Sequence, residues 1–127
     1  MKLAFIVGIG SFLGGIGRYL LSSFIQEKTT NIFPYGTLSV NLLGCFFIGC
    51  LFGIAEKWQL NLELRLLFIT GFLGGFTTFS AFSVEFIHLL KTGNTGLGIA
   101  YVLSSVILGI GLTFLGAWLF RYIPGRA

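Results

Sequence analysis

The 127 residues are 55% hydrophobic and only 9% charged. A soluble domain carries about 25% charged residues, so this composition excludes a soluble fold and describes an integral membrane protein. The net charge of +4 is scattered in single residues, with none of the Lys/Arg runs that serve nucleic-acid binding.

A membrane span takes about 20 apolar residues. Four spans, at residues 3–25, 36–55, 64–90 and 99–120, use most of the chain. Residues 1–127 therefore read as one all-α membrane domain with no extramembrane domain.

Span one opens on Lys2 and an apolar run that mimics a signal peptide. No small-residue cleavage site follows and Arg18 interrupts the run, so the span reads as retained. Gly10 and Gly14 are a small-xxx-small pair suited to close helix contact. The glycines of this span complete no dinucleotide fingerprint, and no strand precedes them. Arg18 lies deep enough to need an outlet. It either snorkels to the interface, or sets a positive charge near an anion entrance, or pairs with Glu85.

A polar loop, residues 26–34, is punctuated by Phe33-Pro34-Tyr35-Gly36 and leads into span two. Thr37, Asn41, Gly44 and Ile48 fall on one face there. The Asn41 amide must find partners in an apolar helix. Its NH₂ is a donor that an anion can use, and an interhelical bond that glues the bundle is the other reading. Cys45 and Cys50, at a spacing of no metal or redox motif, read as small buried fillers. Gly49 and Gly53 continue a packing face. Trp58 marks the interface in the loop that follows.

Span three begins beside Arg65, an interface anchor. It contains GFLGGFTTFSAFSVE, Gly71 to Glu85. Glycines loosen the backbone, and paired threonines favour hydrogen bonds that compete with the helical ladder. Gly74 to Thr78 is therefore expected to break the span into two half-helices. Such a break is tolerated at membrane depth only where protein buries it or where it lines a cavity. Beyond it, Phe79 and Phe82 share one face, with Ser80 and Ser83 beside them. Ring edges carry positive quadrupole and hydroxyls donate, so the two stripes can line an anion path. Phenylalanines at helical spacing are also what plain packing looks like. Glu85 is an Arg18 partner, a vestibule residue or an exposed group; His88 reads as interfacial.

A loop at residues 91–98 leads to span four. Tyr101 and Ser105 share a face and Thr113 lies two turns beyond, able to complete a hydroxyl track with Ser80 and Ser83. Trp118, Arg121 and Arg126 make an interface belt and a basic tail. With an even number of spans both termini share a side, which collects Lys2, Lys57, Arg65, Arg121 and Arg126. The other side has Lys28 and Lys91, and Arg18 if it snorkels there. This weak bias permits insertion in both orientations.

Gly74, Gly75, Thr77, Thr78, Phe79, Ser80, Phe82, Ser83 and Glu85 spell GGxTTFSxFSxE. Together with Gly17-Arg18-Tyr19 and the run Gly36-Thr37-Leu38 through Asn41, this pattern resembles the Fluc/CrcB family of fluoride channels over essentially the whole chain. The resemblance implies a passive fluoride-selective channel that exports cytoplasmic fluoride across a bacterial-type inner (plasma) membrane and lowers its toxicity. It implies an antiparallel, dual-topology homodimer. It implies an ion path lined by Asn41, Phe79, Ser80, Phe82, Ser83, Tyr101, Ser105 and Thr113. It also implies a structural Na⁺ at the dimer centre, held by backbone carbonyls at Gly74 and Thr77. Some family members carry a serine where Gly109 stands, so that donor is missing here or replaced by water.

The residues bear on two other functions. A small four-span multidrug or cation transporter usually needs a carboxylate in span one, where this chain has Arg18 and no acid. A non-conducting scaffold subunit would use the same polar groups as glue. An enzyme finds no nucleophile–base pair, metal cluster or cofactor motif.

Overall fold

A computed structural model describes residues 1–121; Arg126, counted in the charge balance, lies outside the described residues. Four helical spans are long and apolar enough to cross a membrane: Lys2–Glu27, Tyr35–Lys57, Leu62–Lys91 and Thr95–Arg121. The described residues contain no strand. The chain is a multi-pass membrane protein.

The first span is one helix, α1 (Lys2–Glu27), and the second is α2 (Tyr35–Lys57). Pro34 stands just before α2, where its missing N–H is no loss. The third span is composite. Asn61 caps a short α3 (Leu62–Arg65), its side chain accepting from Leu64 N at 2.9 Å. A π-helical segment, Leu66–Leu73, and a single turn, α4 (Gly74–Phe76), follow. Then come two extended residues and α5 (Phe79–Lys91). The fourth span is α6 (Thr95–Arg121).

The expected break is present but narrower. Gly74 and Gly75 stay helical; only Thr77 (φ −85°, ψ 156°) and Thr78 (φ −148°, ψ 122°) leave the helix. Gly75 serves contact instead of flexibility, since a Cβ there would strike the Ser11 backbone carbonyl of α1. The preceding π turn carries no warning in residue type, and such turns are frequent at functional sites.

Helix α2 lies along α6, and α1 packs along the π segment and α4. Small residues set both contacts. A side chain at Gly14 would meet the Phe72 carbonyl, and one at Gly116 would meet the Phe46 carbonyl. Such close approach replaces the hydrophobic drive that lipid does not supply. Phe33, Leu89 and Tyr101 form a buried cluster near one end, with Leu38, Phe82 and Phe86 against it. Large apolar side chains cover the outer surface, as a hydrocarbon surround requires.

Candidate functional site

The break is held open by side chains, one bond at a time. Asn41 Nδ2 donates to the Thr78 carbonyl at 3.0 Å, and Asn41 Oδ1 accepts from Thr78 N at 2.8 Å. Thr78 Oγ1 caps α5 by accepting from Ala81 N at 3.2 Å. In an unbroken helix Thr78 N would bond the Gly74 carbonyl and Ala81 N the Thr77 carbonyl. Both donors are diverted to side chains, so those two carbonyls lose their helical partners. The Gly75 carbonyl accepts from Arg18 Nε at 3.2 Å.

Arg18 is therefore directed at the break and not at Glu85. Lys2–Glu63, at 2.7 Å, is the ion pair found among the described residues. Glu85 has other partners. Thr37 Oγ1 donates to one of its oxygens at 2.6 Å and Tyr101 Oη to the other at 2.7 Å. Thr37 and Tyr101 are both buried. Of the alternatives open for these two residues, the structure shows no Arg18–Glu85 pair but two separate arrangements, because α1 contacts α4 whereas α5 faces α2 and α6.

Beside the break lies a groove of about 560 Å³, whose lining includes Asn41, Gly74, Thr77, Phe79, Phe82 and Ser105. Phe79 is 79% exposed on it. The Phe79 and Phe82 rings stand 5.5 Å apart and tilted, and Phe82 lies 5.0 Å from the Tyr101 ring. The two phenylalanines form an aromatic wall that continues into the buried cluster.

The five hydroxyls expected to form a track are not equivalent. Tyr101 donates to Glu85. Thr113 Oγ1 lies 3.0 Å from both the Cys45 and the Gly109 carbonyls. Ser83 bonds back to the Phe79 carbonyl at 2.9 Å. Ser80 is 3.3 Å from Thr78 Oγ1. Ser105 Oγ is buried without a partner among the described residues, and its residue lines the groove. A buried orphan hydroxyl needs an explanation, and a passing anion or water is a chemical fit. Where Gly109 stands, Cys45 Sγ lies 3.3 Å from the place of a side chain, so the thiol covers that gap.

Spacing groups Thr37 on the Asn41 face without assigning it a role. The spacing of Thr37 and Asn41, one turn apart, was the available signal that both meet the third span. Gln26, at the end of α1, bonds to four groups in the 28–34 loop and the first turn of α2; nothing in its sequence surroundings marks it.

Known proteins are similar in sequence along nearly the whole chain. The family model for "CrcB-like protein, Camphor Resistance (CrcB)" matches residues 5–117. The chain is 47% identical over 128 residues to the fluoride-specific ion channel FluC of Aquifex aeolicus (strain VF5), covering 100% of this chain and 99% of that one. It is 44% identical to the protein of that name from Azobacteroides pseudotrichonymphae, over 91% of this chain and 94% of the other. A third, from Phocaeicola vulgatus, is 40% identical over 94% and 98%. Matches of this extent cover the α1 glycines, the break and its groove together, and the chain belongs to the CrcB family.

Proposed function

We propose that this protein is a passive, fluoride-selective channel and not an enzyme, letting cytoplasmic fluoride leave across a bacterial-type inner membrane. The observation that carries the reading is the near full-length identity to relatives named fluoride-specific ion channels. The geometry agrees with it. Fluoride is small and holds its water tightly, so a pore must replace that water with close, fixed donors. One hydrogen of Asn41 Nδ2 remains beyond its bond to Thr78. Ser105, Phe79 and Phe82 line one groove, and Ser80 Oγ lies 3.3 Å from Oγ1 of Thr78 on the same lining. Ser83, Tyr101 and Thr113 donate to protein groups. In this proposal they shape the path and accept from bound water, and do not pass their own protons to the ion.

Two copies complete the site. The groove opens at an exposed Phe79 and at Gly74, which has open space beside it, and a second, antiparallel copy closes it in this reading. The carbonyls of Gly74 and Thr77 fit a sodium ion, since backbone oxygens freed by unwound helices suit a hard alkali cation. Bound there, sodium would take the place of the N–H donors that those carbonyls lose at the break. Replacing all sodium by a bulky organic cation should lower dimer stability and flux; no change in either removes the ion from the proposal.

The test of function is efflux from liposomes carrying the purified protein, with potential clamped by valinomycin and chloride followed in parallel. Fast fluoride efflux with negligible chloride, indifferent to a proton gradient, supports the channel. No fluoride efflux from well-folded protein rejects it.

A further inference from the structure

The start of α2 has an N-terminal problem that its own residues do not solve. The residue at its cap is Pro34, whose side chain makes no capping bond, and the first N–H groups of a helix need acceptors. Gln26, on the last turn of α1, supplies one: Gly36 N donates to Gln26 Oε1 at 3.1 Å. The other half of the same amide turns to the loop. Gln26 Nε2 lies 3.2 Å from the Phe33 carbonyl, 3.2 Å from Thr29 Oγ1 and 3.4 Å from the Asn31 carbonyl. A neutral amide is a side chain that offers an acceptor and donors from adjacent atoms, which this junction uses at once.

What Gln26 ties down leads to Glu85 by two routes. Gly36 is followed by Thr37, which donates to Glu85 at 2.6 Å. Phe33 packs edge-on to Tyr101, with ring centroids 5.5 Å apart at 74°, and Tyr101 donates to the other Glu85 oxygen at 2.7 Å. Tyr101 also backs Phe82, 5.0 Å away on the groove wall. Gly36 itself sits directly on α1, where a Cβ would meet the Ser22 carbonyl. The α1–α2 junction therefore seats Thr37 directly and reaches Tyr101 through the Phe33 ring.

We infer that Gln26 is a positioning residue for the conduction path, acting through Gly36–Thr37 on one side and Phe33–Tyr101 on the other to hold Glu85 and Phe82 in place. This inference rests on the channel reading above. A site built to fractions of an ångström loses rate when its support slackens.

The experiment is single-channel recording in planar bilayers on the full-length protein and its Gln26→Met and Gln26→Glu variants. Unitary fluoride current does not depend on how many molecules fold, so a merely structural role leaves it unmoved. Gln26→Met, which removes donors and acceptor, is expected to lower unitary current about threefold or more, as small misplacements at a reacting or binding centre do. Gln26→Glu keeps the acceptor for Gly36 N–H and is expected to give an intermediate current. Wild-type current in both variants overturns the inference, and if Gln26→Met does not fold, Gln26→Glu alone decides on the same criterion. No fluoride current in the wild type overturns the channel reading, and this inference with it.

Discussion

Asn41 and Thr78 exchange two hydrogen bonds across the helix break, the amide of α2 pairing with both backbone groups of one residue in the third span. This is the pattern that a neighbouring strand would offer, delivered by a side chain. It explains how an extended residue persists at membrane depth, where each unsatisfied backbone group costs several kcal/mol. Replacing Asn41 by Ala removes both bonds and should destabilise the fold by about 1–3 kcal/mol. Asn41→Asp keeps the acceptor for Thr78 N but sets an oxygen against the Thr78 carbonyl. Thermal unfolding in detergent and fluoride efflux, measured on both variants, check this. Both should fall in each; an unaffected melting point in Asn41→Ala would show that the latch is not needed.

The carboxyl of Glu85 is shared by Thr37 and Tyr101, one on each oxygen. Hydrogen bonds to a charged partner contribute about 1.5–3 kcal/mol, so Thr37→Val and Tyr101→Phe should each lower stability by that order. Residues in one network do not add, and a coupling of about 0.5–3 kcal/mol is expected between them. A double-mutant cycle by equilibrium unfolding measures it. Strict additivity would mean that the two donors act independently.

Much of this arrangement is legible in the sequence. Hydropathy places the four spans to within a few residues of α1, α2, Leu62–Lys91 and α6, because lipid forces every backbone bond inside the segment. The break was legible from Thr77 and Thr78. Its width was not, because Gly74 and Gly75 look alike in sequence although only Gly75 is pressed against α1. The partner of Arg18 stays open in the sequence for a related reason. Depth in a span says that an arginine needs company, but which company depends on α1 lying against α4. The hydroxyl track shows the same limit: Ser105 and Thr113 both read as donors, yet only in three dimensions does Thr113 meet the Cys45 carbonyl while Ser105 has no partner among the described residues. Gln26 had no signal, since its bonds run to a loop whose shape no periodicity encodes.

Phe79 and Phe82 occupy one wall but different surroundings, and their substitutions should separate packing from conduction. Phe79 is 79% exposed, so Phe79→Ile should change single-chain stability by no more than about 0.5 kcal/mol. Phe82 packs on Tyr101, and its replacement by Ile should cost about 1 kcal/mol or more. If ring edges contact the ion, both variants lose most fluoride flux despite this difference in stability. Liposome efflux compared with thermal unfolding decides it: flux that tracks stability, high in Phe79→Ile and low in Phe82→Ile, would assign the aromatic wall to packing alone.

Gly74 and Gly75 are neighbours on one helical turn, and a methyl group added to each meets opposite circumstances. At Gly75 it would strike the Ser11 carbonyl, whereas at Gly74 it finds nothing within 4 Å. Overpacking costs about 1–3 kcal/mol, so Gly75→Ala should lower the stability of the single subunit by that order. Within one subunit Gly74→Ala is free of clash and, by helix propensity, favoured by about 1 kcal/mol. The proposed dimer predicts the reverse at Gly74, because a second copy and its shared cation would come up against that bare backbone. Light scattering of the detergent-solubilised variants, with melting followed separately, distinguishes the cases. A Gly74→Ala protein that folds but dissociates, beside a Gly75→Ala protein that is poorly folded, is the expected outcome. A fully dimeric, fully active Gly74→Ala protein would move the subunit contact away from the break.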